Sequence, residues 1–379
     1  MNFDFSEEQE MVRDSVARFV QDQYDWDTRK AIIASEKGMS SANWKLFAEL
    51  GWLSIPFTEE YGGFGGNIVD LSLVMEELGK GLVVEPYFPT VILFGGVLKR
   101  ASSEAQRAEW LPKIINGEIL GAFAYVERQS RFAIHDCQTR ADLTESGYCI
   151  NGEKVVVFNG ENADHLIVLA RTSGAQSDRD GLSLFLIDSS LTGMSRMNYA
   201  LMDGQRVSNI TFTDVKVTVD SLICDEGGAL QLIEELSNEA IIALAAEAVG
   251  IMGTLNSKTL EYAKTRKQFG AAIGSYQALQ HRMVDTMMAY EQCKSLLFKA
   301  LCEYQQDPKV AMDTMHALKV LVDRSSKHIF GEAIQIHGGM GITDELDIGH
   351  YAKRLMMINT TFGDGTYHRN RYIEKSLAV

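Results

Sequence analysis

Apolar residues recur at helical spacing through the first third of the chain. Val12, Val16, Phe19 and Val20 form one stripe behind Ser6-Glu7-Glu8-Gln9. That tetrad reads as a capping box, in which the hydroxyl and the Gln side chain satisfy free amides at a helix start. Trp44, Leu46, Phe47 and Leu50 begin a second apolar face, which Gly51 ends. Helical patterns resume over 71–78, 91–98 and 103–115. From Ala122 the texture changes: 148–150 leads into Asn151-Gly152, a hairpin-turn dipeptide, then 155–158 and a second turn at Asn159-Gly160. Short apolar runs at 166–170, 182–187 and 210–217 extend this to a small antiparallel sandwich or barrel. After Gly227-Gly228 the helical period returns and stays, over 230–252, 283–301, 311–330 and 348–358. The pattern therefore predicts a mainly α chain with a central β domain, divided as 1–118, 119–226 and 227–379. No internal repeat and no low-complexity segment is visible.

At 379 residues the chain is long enough for two or three packed units around a large core. A formal net charge of -15 argues against a nucleic-acid surface and against docking on anionic lipid, because both need a concentrated excess of Lys and Arg. A local basic patch can still hold a polyanionic ligand. The five cysteines (Cys137, Cys149, Cys224, Cys293, Cys302) are scattered without a C-x-x-C pair, which fits reduced thiols in the cytoplasm. The opening Met1-Asn2-Phe3-Asp4-Phe5-Ser6-Glu7-Glu8 shows neither a basic nor an apolar leader segment. No apolar run is long enough to span a bilayer.

One corner concentrates candidate chemistry. A long apolar helical run ends in Thr265-Arg266-Lys267-Gln268-Phe269-Gly270, and Ile273-Gly274-Ser275-Tyr276-Gln277 opens the next. A guanidinium fork grips phosphate oxygens and an exposed ring offers a stacking face, so the corner suits a flat, phosphate-bearing ligand. The same residues also read as a helix C-terminus, with basic side chains complementing its dipole and Gly as its cap. The early Gly62-Gly63-Phe64-Gly65-Gly66 does not complete G-x-G-x-x-G, since Ile68 holds the last position, and it follows no strand. It reads as a surface loop. There is no H-E-x-x-H and no Cys/His cluster, so metal catalysis has no support.

The run 265–277, the segment Gln335-Ile336-His337-Gly338-Gly339-Met340-Gly341 and the loop Glu60-Tyr61-Gly62-Gly63-Phe64-Gly65-Gly66 together resemble the signatures of the acyl-CoA dehydrogenases, in family order over nearly the whole chain. The resemblance implies an α-helical, β-barrel, α-helical bundle architecture and FAD as cofactor. It places Arg266 and Phe269 on the adenine-pyrophosphate half of the FAD of a neighbouring subunit, with Gln277 on the same cofactor. Gln335 and Gly339 would line the pyrophosphate, and Thr366, in Asp364-Gly365-Thr366, would lie near the flavin. His368 stands where the family often has a polar flavin contact, while His337 reads as packing within its turn.

The middle domain departs from the family pattern. Lys154-Val155-Val156-Val157-Phe158-Asn159-Gly160 resembles a strand usually read K-x-W-I-T-N-G, with Val156 for the Trp and Phe158 for the Thr. After Ala124-Tyr125-Val126-Glu127 the small-residue loop is replaced by Arg128-Gln129-Ser130-Arg131. Elements that reach a neighbour's FAD are kept, and those that cradle the chain's own are altered.

The implied reaction removes a substrate α-proton with a carboxylate while hydride leaves the β-carbon for flavin N5. Many members carry Glu before Gly-Thr; here that position is Asp364, one methylene shorter, and about 1 Å of misplacement costs on the order of a hundredfold in rate. Others carry Glu on the helix before the Arg266 corner, where this chain has Ala240, with Glu239 beside it. Glu247 lies two turns on, roughly 10 Å along the axis, within an apolar run. Asp364 and Glu247 are thus the candidate bases, against a cap role for the first and a buried ion pair for the second. The chain is most similar to the small-subunit type, that of pimeloyl-CoA dehydrogenase. That implies an acyl-CoA thioester substrate, an electron-transfer acceptor, and a homo-oligomer or a heterotetramer with a larger homologous subunit. A non-catalytic partner subunit and a nitroalkane-oxidising relative, whose branch uses Asp as base, are the alternatives.

Overall fold

The structure, a computed structural model, describes residues 5–377. The leader reading at residues 1–4 lies outside them. In chain order come α1 (Glu7–Gln23), α2 (Trp26–Ala34), α3 (Ser41–Glu49) and α4 (Ile68–Gly81). The apolar run near 91–98 opens as a π-helical segment, Tyr87–Phe94, that continues into α5 (Gly95–Ala101), and α6 (Glu104–Ile115) follows. The strands are β1 (Gly121–Ala124), β2 (Arg140–Thr144), β3 (Gly147–Phe158), β4 (His165–Arg171), β5 (Leu182–Asp188), β6 (Met194–Ala200) and β7 (Arg206–Val217). Then come α7 (Ala229–Thr265), the short strands β8 (Lys267–Gln268) and β9 (Ala271–Ala272), α8 (Gln277–Gln306), α9 (Ala311–His337), α10 (Ile348–Thr360) and α11 (Gly365–Leu377). The chain is mainly α with a central β region, as the hydrophobic pattern predicts. The Ser6 capping box is present, with Gln9 N–H donating to the Ser6 hydroxyl at 3.2 Å.

Contacts gather the chain into two compact units, one of 1–30, 68–83 and 241–379 and one of 31–67 and 84–240. The second unit holds the seven-stranded sheet, ordered β1-β4-β2-β3-β7-β6 with β5 paired to β4. Ile150, Leu166, Val168, Phe185, Ile210 and Phe212 belong to its core. The sheet is mixed, which corrects the all-antiparallel expectation: β1 runs parallel to β4, and β2 meets β4 in parallel.

A second correction concerns Asn151-Gly152. This pair forms no turn but lies inside β3, with Arg140 opposite Asn151 on β2. The reason is a bulge against β7, where the pairing jumps between Ile150 and Gly152. There the Asn151 amide stands in for ladder groups, accepting from Asp214 N–H at 2.7 Å and donating to the Asp214 carboxylate at 3.1 Å. The β2–β3 reversal falls instead between Thr144 and Gly147. The second predicted turn, after Phe158, is present.

In the first unit α1 packs on α4, and α9 packs on α8, α10 and α11. Two glycines let α4 and α7 approach closely. A Cβ on Gly79 would lie 2.5 Å from the Glu247 carbonyl oxygen, and one on Gly250 would lie 2.0 Å from that of Glu76. Helix α7 corrects the expectation about length alone: over an 18-residue window it is long and apolar enough to cross a bilayer. That window is 78% buried within the protein, which accounts for its apolarity.

Candidate functional site

The Arg266 corner is not a plain helix cap. After α7, the strands β8 and β9 pair antiparallel, Lys267 with Ala272 and Gln268 with Ala271, and a two-residue loop joins them. Phe269 and Gly270 both have positive φ, 52° and 83°, the signature of a tight turn of mirror type. Gly takes that conformation freely, whereas Phe pays for it. The ring gains nothing within the chain in return, being 93% exposed. Such strain persists where the surroundings impose it, and it clusters at ligand-holding positions. The Tyr276 hydroxyl braces the loop by donating to the Gln268 carbonyl at 3.2 Å.

This corner and the Gln335 segment are brought together. At the end of α9, His337 stacks on Tyr262 of α7 with ring centroids 4.3 Å apart. Ala263, Ile273 and Ile336 form the small core beneath, with Leu279 against it. His337 is buried, with Nδ1 2.8 Å from the Ala333 carbonyl, so it packs the turn as expected. Arg266, Gln277 and Gln335 are exposed, and Cβ atoms built on Gly338 or Gly339 would meet nothing within 4 Å. Space at these glycines is therefore left for something other than this chain's packing. Five of the candidate residues (Arg266, Phe269, Gln277, Gln335, Gly339) thus lie within a few positions of residues in this stack and its small core, as a cationic fork, a ring, two amides and an open glycine. That donor set fits a flat, anionic ligand such as FAD.

Asp364 and Thr366 lie elsewhere. They sit at the start of α11, against Asp323 of α9, where a Cβ on Gly365 would come within 2.6 Å of the Asp323 carboxylate. Twelve residues of α9 separate Asp323 from Gln335, about 18 Å of helix. Asp364 caps α11, accepting from Tyr367 N–H at 2.8 Å, and Thr366 is exposed beside it. His368 is not available to a ligand: it is 1% exposed, which corrects its reading as a cofactor contact. Its Nδ1 lies 2.9 Å from His316 Nδ1 and its Nε2 2.9 Å from the Phe362 carbonyl.

Glu247 is buried on α7 and both its oxygens are taken. Arg354 of α10 donates to them from Nε at 2.6 Å and Nη2 at 2.7 Å, a bidentate fork closed on every side. Its geometry is that of the ion pair weighed as the alternative to a base. Glu239, on the part of α7 within the other unit, is similarly held by Arg100, with Lys99 4.0 Å away. Burial works to raise its pKa, but Lys99 and Arg100 more than offset this and hold it below the usual carboxylate range.

In the sheet unit the altered strand is distorted at the altered residue. Val156 has φ 52°, an outlier for a β-branched side chain, and its N–H donates to the Asn209 side chain at 3.1 Å. Phe158 is buried, edge-on to Phe88 with centroids 6.4 Å apart. Two residues earlier than Val156, Lys154 is fully buried and donates to Glu127 at 2.7 Å. The Glu127 carboxylate also accepts from the Gln138 and Thr139 amides and from Gln129. Burial pushes its pKa up, yet Lys154 and these donors bring it down to about 2. Sequence reasoning missed this pair, as it missed the His316–His368 pair and the Tyr262–His337 stack. Each joins residues far apart in the chain with no local spacing to mark them. Among the described residues, no group of three or more His, Cys, Asp or Glu side chains is placed to hold a metal ion.

Three family models match the chain: the acyl-CoA dehydrogenase N-terminal domain over residues 6–118, the middle domain over 122–215 and the C-terminal domain over 226–377. A probable acyl-CoA dehydrogenase of Bacillus subtilis (strain 168) is 29% identical over 378 residues, 98% of each protein. A short-chain-specific acyl-CoA dehydrogenase of Clostridium acetobutylicum is 29% identical over 360 residues, 92% of each. Among solved structures, the FAD complex of PigA superimposes with a TM-score of 0.91 at 27% identity, covering 99% of both chains. Matched by all three domain models in order, with relatives aligned along nearly its whole length, this chain belongs to the acyl-CoA dehydrogenase family.

Proposed function

We propose that the chain is an FAD-dependent acyl-CoA dehydrogenase that introduces an α,β double bond into a CoA thioester. The observation that carries this reading is the Tyr262–His337 stack and its small core, which join the segment carrying Arg266, Phe269 and Gln277 to the one carrying Gln335 and Gly339. These residues are polar or aromatic groups held out to solvent at a strained turn and an open glycine. Arg266 would hold pyrophosphate oxygens, Phe269 would stack on a flat ring, and Gly339 would admit close approach. The separate patch with Asp364 and Thr366 suits the other end of such a cofactor, or a second copy of it in a paired subunit. When bound, the flavin supplies a hydride acceptor. Asp364 is our candidate for taking the substrate α-proton. It stands half-buried at the start of α11 beside the exposed Thr366, whereas Glu247 is enclosed with Arg354. The domains 1–118, 119–226 and 227–379, a cytoplasmic setting and an electron-transfer acceptor belong to the same reading.

A second reading is favoured by one specific observation, the middle-domain strand. Phe158 brings a buried ring where the family resemblance expects a hydroxyl, and Val156 a small strained side chain where it expects Trp. A chain that lends FAD contacts to a larger homologous partner, in the manner of a small subunit such as that of pimeloyl-CoA dehydrogenase, would tolerate both. Purifying the chain alone separates the two. Bound flavin bleached anaerobically by a short acyl-CoA supports the first. A colourless chain that turns yellow and active only when co-expressed with a homologue supports the second. Bleaching by nitroethane and by no CoA ester would overturn both.

A further inference from the structure

The turn between α10 and α11 is held from beneath by three titratable side chains that the proposed chemistry does not use. Lys319 of α9 is buried and donates to the carbonyls of Ile358 and Thr361, the latter at 2.8 Å. These belong to the end of α10, where carbonyls lack helical partners. The backbone then turns through Phe362 at φ 57° and Gly363 at φ 111°. Gly is required there, because a Cβ would lie 2.5 Å from the Tyr367 ring and 2.6 Å from His368 Nε2. Asp364 follows directly.

The hydrogen bonds of His368 fix its protons. The Phe362 carbonyl can only accept, so Nε2 carries the hydrogen across that 2.9 Å contact. In a neutral imidazole Nδ1 is then an acceptor, and the 2.9 Å contact to His316 requires His316 to donate from its own Nδ1. A proton added to His368 would make its Nδ1 a donor as well, so His316 would have to give up its own Nδ1 hydrogen and take the other tautomer. We propose that His316, Lys319 and His368 are positioning residues for the reaction, a lock of fixed tautomers that sets the turn carrying Asp364 only while His368 is neutral. The inference rests on the reading of Asp364 as the base.

The surroundings agree with a neutral pair. Burial pulls His368 down to about 3, helped by Lys319 and His316 and opposed by its hydrogen bond to Phe362 and by Asp364. His316 is pulled down by burial and by Arg371 and Lys375, against Asp313. Asp313 is itself paired with Lys375 at 2.8 Å, and Asp323 with Lys327 at 2.8 Å. Burial also lowers Lys319 to about 7, with Asp323 and Asp364 opposing. A neutral amine still has two N–H groups for its two carbonyls, so Lys319 keeps its grip in either form.

Leucine at 316 removes the donor, whereas asparagine offers an amide N–H near the same place. His316→Leu and His316→Asn are to be compared with wild-type holoenzyme from pH 5 to 8. The readouts are flavin content, anaerobic flavin reduction by butyryl-CoA, and the urea midpoint. Wild type should lose stability as pH falls below about 6.5, because the unfolded His368 binds a proton that the folded one refuses. In His316→Leu, the acid limbs of both stability and flavin reduction should change, with flavin reduction at pH 6 at least tenfold slower and flavin retained. His316→Asn should restore both. If His316→Leu does not fold, His368→Gln serves instead. Gln keeps a donor for Phe362 but cannot titrate, so it should flatten the acid loss of stability. Unchanged pH profiles of stability in these variants overturn the lock. A changed stability profile with unchanged flavin reduction overturns its role in positioning, while leaving the dehydrogenase reading intact. Should wild type reduce no flavin with any CoA ester, that reading fails by itself, and the stability profiles still decide whether the lock exists.

Discussion

Arg354 and Glu247 form a closed, bidentate ion pair between α10 and α7, with Nε and Nη2 each within 2.7 Å of a separate carboxylate oxygen. Both residues are buried, so their worth lies less in net stability than in the cost of separating them. Arg354→Met should leave an unpaired buried carboxylate and destabilise the fold by about 3–5 kcal/mol. The double variant Arg354→Met/Glu247→Leu should recover most of that loss. Urea unfolding of the four proteins of this cycle measures the coupling, and additive losses would contradict the pairing.

The Lys154–Glu127 pair gives a pH dependence of definite sign. The Glu127 carboxyl is depressed to about 2 in the folded protein from an ordinary 4.5. Its contribution is therefore fully present above 4.5 and is lost as pH falls toward 2. Lys154→Met should lower stability at neutral pH by about 3–5 kcal/mol and remove much of this slope. Denaturant midpoints between pH 3 and 7 check both effects.

Phe269 at the hairpin tip separates fold from ligand. Phe269→Gly relieves a left-handed φ of 52° and removes a ring that is almost fully exposed, so stability should hold or rise by about 1 kcal/mol. Flavin retention should fall. Arg266→Ala should weaken retention further, by roughly 1.5–3 kcal/mol for a charge-assisted contact to phosphate. Flavin absorbance per chain after gel filtration reports each. Full retention in both variants would remove this corner from the cofactor site.

Two glycines offer a contrast within one protein. Gly339→Ala adds a methyl where nothing lies within 4 Å, and it should leave unfolding unchanged while reducing flavin content. Gly250→Ala drives a methyl to 2.0 Å from the Glu76 carbonyl oxygen and should destabilise by about 1–3 kcal/mol through overpacking between α4 and α7. Thermal unfolding of the two variants with and without added FAD distinguishes the cases.

Periodicity alone determined the helix–sheet–helix order, the capping box at Ser6 and the exposure of the Arg266–Phe269 corner, because each depends on residues a few positions apart. Tertiary structure decided what lay beyond that reach. Asn151-Gly152 reads as a turn by local preference, yet pairing with β2 and β7 on both sides turned it into a bulge. Glu247 and Asp364 look alike as lone carboxylates in sequence. Only packing showed that the first is enclosed by an arginine 107 residues away while the second, half-buried, caps a helix. The proton arrangement of His316 and His368, 52 residues apart, follows from one backbone carbonyl that no local pattern could have placed beside them.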